Sequence, residues 1–380
     1  GSNNSAMGYG ALYKNTTGTS NSAMGYQALY CNTAGTHNSA MGYQALCLNT
    51  TGSYNIAIGS YGLTKNTTGS GNSAVGYAAL YSNTGACNSA LGSFALYNNT
   101  TGSCNSAMGY GALKYNTTGG SNSAIGFKAL YNNTTGTNNS AVGYKALYGN
   151  TAGCNSAFGG YALCSNTYGN GNSAMGFSAL FSNTTGIKNS AVGGYALYSN
   201  TAGNCNSAMG YGALRSNTTG NNNSAVGTNA LYNNTTGNYL SAVGYGALKC
   251  NTIGSGNSAV GYKALYGNTT GTCNIAVGTS ALRNNTYGSQ NNAMGYQALY
   301  GNTTGSGSVA IGHCALYNSN ATGNNIAIGQ SAGLSLTTGI NNTIIGQLSG
   351  GAGCVCTLLL GAGTCERIRV DNSGLYVNGT

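Results

Sequence analysis

The sequence predicts an all-β fold, a parallel β-solenoid or β-roll of about 21 coils, and three observations carry that prediction. A glycine recurs at Gly8, Gly25, Gly42, Gly59 and Gly76 and onward to Gly346, spaced by 17 residues except for 16 at Gly76 to Gly92 and Gly143 to Gly159. The residue before this marker glycine is apolar in all 21 copies, and the residue four after it is Leu in 19. Asn-Thr follows seven and eight residues after the glycine in 18 copies, usually as Asn-Thr-Thr-Gly. A period this short is too small for a helical pair and too long for one strand, so each copy reads as one solenoid turn.

Each unit, such as Asn21 to His37, divides into four parts. Ser-Ala-Φ before the marker glycine reads as a strand, and the glycine as a tight corner. The x-Ala-Leu-Tyr run reads as a second strand, and Asn-Thr-Thr-Gly as a wider corner, because Asn and Gly tolerate positive φ and Asn or Thr side chains bond local backbone. Two apolar rows are expected to be buried. One precedes the glycine (Met7, Met24, Met41, Ile58, Val75) and the other follows it by four (Leu12, Leu29, Leu46, Leu63, Leu80). Alanines at two before and three after the glycine permit close backbone approach. Stacked at about 4.8 Å per coil, the array predicts a rod of roughly 100 Å. No stretch combines freedom from glycine with a helical apolar period, so no helix is expected.

The array occupies residues 1–346 as one elongated domain, and residues 347–380 depart from it. There, Gly350 to Gly353 and Gly361 to Gly363 punctuate an apolar Leu358-Leu359-Leu360, and the only two acids of the chain, Glu366 and Asp371, follow. Arg367 to Val370 and Leu375 to Val377 read as strands around an Asp-Asn-Ser-Gly turn, a small β-hairpin cap over the last coil's open edge.

Composition narrows the function. With 65 Gly, no Pro, no Trp, 4% charged and 41% hydrophobic residues, the chain is too apolar and too regular for a disordered linker. Two acids and two histidines, His37 and His313, supply no acid–base pair or Ser-His-Asp set, so no enzyme is expected. Cys354, Cys356 and Cys365 lack the spacing of a structural zinc site, and no metal or cofactor is expected. The net charge of +10 comes from Lys14, Lys65, Lys114, Lys128, Lys145, Lys188, Lys249, Lys263, Arg215 and Arg283, spread over an array with no acid. Such a surface attracts anionic partners such as acidic polysaccharide, whereas its charge is too sparse to track phosphates for specific nucleic-acid binding. No apolar run reaches membrane length, so no membrane insertion is expected, and the opening Gly1-Ser2-Asn3-Asn4 lacks a leader's character.

Two residue types stand out as surface candidates. Of 30 tyrosines, one row follows the marker glycine (Tyr9, Tyr26, Tyr43, Tyr77, Tyr110, Tyr144), and these rings either pack against one another or contact glycans. Among 13 cysteines, Cys87 and Cys104 lie five residues before consecutive marker glycines, so their Cα atoms are expected about 5 Å apart, within disulfide range. The regular Thr positions suggest an ice-binding array as a minor reading.

The Asn-Ser-Ala-Φ-Gly unit, over about residues 3–346, resembles the head repeats of trimeric autotransporter adhesins. Its longer form, Gly-Tyr-Gln-Ala-Leu-Tyr-x-Asn-Thr-Thr-Gly, is similar to repeats of phage and large-virus tail-fibre proteins. Residues Cys365 to Thr380 resemble the segment that precedes an intramolecular chaperone in many tail fibres, so an end at Thr380 fits either a self-cleaved or a truncated chain. The resemblance implies a left-handed β-roll, a side-by-side homotrimer, and a fibre shaft or head on a virion or cell surface that mediates attachment. A self-assembling extracellular filament is the alternative.

Overall fold

The structure is a computed structural model, and it describes residues 1–320 and 323–378. Among these residues there is no helix; all regular structure is β. The chain forms two compact units, Gly1–Asn189 and Ser190–Thr380. The first contains eleven coil strands, from Ser5–Met7 to Ser173–Met175, and the second contains ten, from Ser190–Val192 to Thr343–Ile345. Within each unit, successive strands pair in parallel at identical repeat positions: Ala23 faces Ala40 in the first, and Ala242 faces Ala259 in the second. Each unit is therefore a β-solenoid, with 21 coils between the two.

Register survives both short coils. Ser73 faces Ser89 and Ser140 faces Ser156, so the missing residue is removed without shifting the strands. The loss is absorbed at the Asn-Thr corner. The Asn66 side chain donates to the carbonyl of Gly69 three residues on, whereas Asn83 reaches Gly85 two residues on.

The second expected strand is not one. Only Ser-Ala-Φ is extended, and x-Ala-Leu-Tyr is a run of turns in which Ala28 N donates to Gly25 O and Asn32 N to Leu29 O. All 19 leucines of the row are left-handed, Leu29 at φ 53° among them, and the two coils lacking Leu place Gly333 and Gly350 there at φ 68°. A left-handed non-glycine residue costs roughly 1–2 kcal/mol. Full burial of a Leu side chain contributes roughly 1.5–3 kcal/mol, and Leu29, Leu46, Leu63 and Leu80 are wholly buried, with Leu12 nearly so. Burial thus outweighs strain. The turns still bond to both neighbouring coils, Gln27 N to Tyr9 O and Leu29 N to Ala45 O, which leaves an apolar–polar alternation that mimics a strand.

The other expected buried row faces outward. Met7, Met24, Met41 and Ile58 are 65, 44, 48 and 42% exposed, and Val75 is half-buried. Strand side chains alternate faces. Because Ala23, Ala40, Ala57 and Ala74 point inward at 0–2% exposure, the apolar residue that follows each must point out. The coil is narrow: an Ala, a second Ala and one Leu fill it.

The rest of the interior is polar. Asn four before and seven after the marker glycine form two buried columns. In one, the Asn49 side-chain amide donates to Asn32 Oδ1 at 2.8 Å, and Asn66 to Asn49 Oδ1 at 2.9 Å. In the other, Asn38 Oδ1 accepts from Asn55 N at 3.0 Å. Both amides of one coil converge on one carbonyl, Asn38 and Asn49 each donating to Gly52 O at 2.8 and 2.9 Å. Buried amides are costly unless paired, and these are paired within and between coils.

At the C-terminus Leu358–Ala362 adds in parallel to Thr343–Ile345, then pairs antiparallel with Cys365–Asp371, which pairs antiparallel with Gly374–Val377. The Asp371 carboxylate accepts from Ser373 N at 2.8 Å and fixes the turn.

The marker glycine is required twice over. At Gly109 φ is 126°, and a Cβ would lie 2.6 Å from the carbonyl oxygen of Gly126 in the next coil. Gly109→Ala is expected to destabilise by at least about 1–3 kcal/mol from backbone strain alone, read as a lower urea midpoint. Gly71→Asn is the control, because an added Cβ there meets nothing closer than 3.7 Å and its row holds Asn138 and Cys87 at the same left-handed φ. Equal loss in both variants would contradict the stacking.

Candidate functional site

With the core closed by small residues, chemistry is confined to outward rows, and one face concentrates it. Residues one, two and five after each marker glycine carry most of the aromatic rings. Tyr9, Tyr26 and Tyr43 stack successively at 5.3 and 5.1 Å, and Tyr13 on Tyr30 at 5.3 Å with planes 6° apart. Farther along, Phe127 stacks between Tyr110 and Tyr144. Within such runs each ring covers its neighbour's face. Tyr9, Tyr26, Tyr43, Tyr110 and Tyr144 are exposed, yet they offer edges and hydroxyls more than the open faces a sugar packs on. Tyr77 differs: it meets Tyr61 and Phe94 edge-on at 5.9 and 5.3 Å.

The cations lie on the same face. Of the ten Lys and Arg residues in the array, seven occupy these positions, Lys14 and Lys65 stand one residue farther on, six after the glycine, and Lys188 lies in the turn row five before it. Lys65 Nζ lies 5.0 Å from the Tyr81 ring centre, Lys128 Nζ 5.1 Å from Tyr131 and Lys145 Nζ 5.4 Å from Tyr144. In the second unit, Arg215 lies over Tyr195 and Tyr232, and Lys263 over Tyr262. Each such contact is worth about 0.5–1 kcal/mol at an exposed site, and it holds the charge near the surface. Among the described residues the ion pairs are those of Arg369 with Glu366 and Asp371, both at 3.6 Å, so no acid neutralises the aromatic face.

The remaining candidates resolve differently. Cys87 and Cys104 occupy one turn row of consecutive coils, but both are free, exposed thiols, so the expected bridge is not formed. The Cys87 sulfur lies 3.7 Å from where a Cβ on Gly71 of the preceding coil would stand. Of the Thr positions that suggested an ice-binding array, the first row is engaged between coils, Thr16, Thr33 and Thr50 Oγ1 each donating to the next coil's Thr carbonyl at 3.0–3.2 Å, while Thr17 and Thr51 of the second row are exposed. His37 and His313 stack on Tyr54 and Tyr296. Among the described residues no three His, Cys, Asp or Glu side chains gather as a metal site, and no helix is long and apolar enough to cross a membrane.

Sequence reasoning missed the two Asn columns and the row two after the glycine. The Asn signal was present, since Asn recurs at fixed offsets from the marker, but turn chemistry accounted for it. The second row holds Gln27, Gln44, Tyr61, Ala78, Phe94, Lys128 and Lys145, all at φ 51–61°, and its variety conceals the backbone conformation they share.

Tyr131 links this face to pH. Burial, a hydrogen bond with Tyr115 and the nearby phenols of Tyr115, Tyr148 and Tyr110 push its pKa from 10.0 up to about 12. The unfolded chain therefore loses this proton first. Its stabilising contribution is intact below pH 10 and is lost as pH rises through about 12. Alkaline unfolding followed by circular dichroism is expected to be less steep over that range for Tyr131→Phe than for the natural protein, and coincident curves would contradict the assignment. Comparison of this chain with protein families, curated proteins and solved structures finds no match.

Proposed function

We propose that this protein is a non-enzymatic structural fibre, the shaft or head of a virion tail fibre or surface adhesin, built as a side-by-side homotrimer that mediates attachment. One observation carries the reading: the apolar residue before every marker glycine is on the outside. Met24, Met41, Ile58, Leu91, Met108 and Ile125 are 41–48% exposed in the first unit, and Met209, Val243, Met294 and Ile311 are 40–54% exposed in the second. A continuous exposed apolar row marks an interaction surface. The surface that matches a row repeating once per coil is another row with the same repeat, which a second and third copy of this chain supply. The aromatic and cationic rows stay outside that contact and are left to meet a target.

The test is mass in solution by sedimentation equilibrium. The expectation is about three times the 37.9 kDa chain, with dissociation to one chain when Met108, Ile125 and Val142 are all replaced by Lys and the β circular dichroism is retained. A natural protein of single-chain mass would overturn the trimer, and a polydisperse assembly far above three chains would favour the filament.

A further inference from the structure

The aromatic rows are interrupted in the first unit in a way that leaves an opening. In three coils of that unit the ring moves one position along, at Gly160-Tyr161 and, two coils apart, at Ser60-Tyr61 and Ser93-Phe94, where the typical unit has Tyr-Gln. The coil between the latter two keeps Tyr77 and has only Ala78 at the next position. The result is a recess of about 270 Å³ lined by Tyr61, Tyr77, Ala78, Tyr81, Phe94 and Tyr97. Its aromatic contacts are largely edge-to-face: Tyr61 with Tyr77 at 87°, Tyr77 with Phe94 at 78° and Phe94 with Tyr97 at 66°. Tyr81 and Tyr97 stack on each other at 5.2 Å, but Tyr61, Tyr77 and Phe94 meet edge-to-face and are not closed into a stack.

The geometry points to a binding site for one ring of an acidic saccharide. The volume is just below the range of ligand sites, which begins at about 300 Å³, so it suits no more than a single ring. Tyr61 and Phe94 stand two coils apart, roughly 10 Å along the stack. The Tyr77 ring of the intervening coil stands between their levels, edge-to-face with both at 5.9 and 5.3 Å, so a flat base finds no slot to stack in. A pyranose chair needs no such slot, because its axial C–H groups pack on a single aromatic face. Lys65 Nζ, 5.0 Å from the Tyr81 ring centre, supplies a cation beside the recess, and the first unit contains no Asp or Glu to compete with an anionic ligand. The hydroxyls of Tyr61, Tyr77, Tyr81 and Tyr97 provide donors and acceptors for sugar hydroxyls. This inference deepens the attachment reading and rests on it for the sugar's source, an anionic surface polysaccharide.

The test is calorimetric titration of the full chain with oligogalacturonate, against neutral cello-oligosaccharide and with oligothymidylate as competitor. Ala78→Phe fills the recess with a residue its own row already carries at Phe94. The expected results are oligogalacturonate binding that weakens by about ten-fold in Ala78→Phe, by about three-fold in Lys65→Gln, and not at all in Gln297→Phe, a same-row change far along the sequence. Tyr61→Ala, which removes a wall without adding bulk, is expected to weaken binding as well. Absence of oligogalacturonate binding, binding indifferent to both Ala78→Phe and Tyr61→Ala, or equal displacement by oligothymidylate would overturn the proposal. A trimeric mass without sugar binding rejects the recess alone; sugar binding by a single chain supports the recess and rejects the trimer.

Discussion

Everything in this protein depends on the contact between one coil and the next. The marker glycines lie so close that a side chain on one would strike the backbone of the following coil, 2.5–2.7 Å away at Gly25, Gly109 and Gly143. Beside them the two Asn columns pass hydrogen bonds from coil to coil, with side chains 0–2% exposed. Directional bonds between identical residues favour a single register, because slipping by one residue would bury an unpaired amide at a cost of about 1–3 kcal/mol per group. The two short coils support this view: the corner gave up a residue, and both the strand register and the Asn column were kept.

This interior leaves little apolar volume. An Ala-Ala-Leu core leaves little room for further side chains, so most Met, Ile, Val, Tyr and Phe residues of the array lie outside it in straight rows, with Ile344 of the last coil a buried exception. The same narrowness that makes the fold regular therefore supplies its functional surfaces, an apolar row on the strand face and an aromatic, cationic face across the turns. Where neighbouring coils carry the same residue the rings stack and close; where they differ, as around Ala78, the surface opens.

The fold class was legible because a 17-residue period leaves few alternatives, and the marker glycine, the Leu row and the Asn-Thr corner all held their positions. What misled was orientation. Polar–apolar alternation at Gln27-Ala28-Leu29-Tyr30 looks extended, yet it arises from turns with Leu29 left-handed, a conformation rarely expected of Leu. The Met24 row looked buried because it is apolar in every coil, but invariance along a repeat selects for contact with any repeating surface, inside or out. Likewise Asn32 and Asn38 looked like corner residues, and their side chains are the core. For the candidate site, the Tyr rows and the cations without acidic partners were readable, whereas the recess was not, because it depends on how three neighbouring coils differ in the placement of one ring.

Hydrogen exchange of the Asn side-chain amides, followed by NMR with selectively labelled asparagine, tests the central claim most directly. If the columns hold the coils together, the amides of Asn32, Asn49, Asn66 and Asn99 exchange as slowly as the backbone amides of the adjoining strands, while that of exposed Asn138 exchanges at the free rate. Rapid exchange along the columns, with the strands still protected, would show that the coils are held by backbone and leucine alone and would contradict the account.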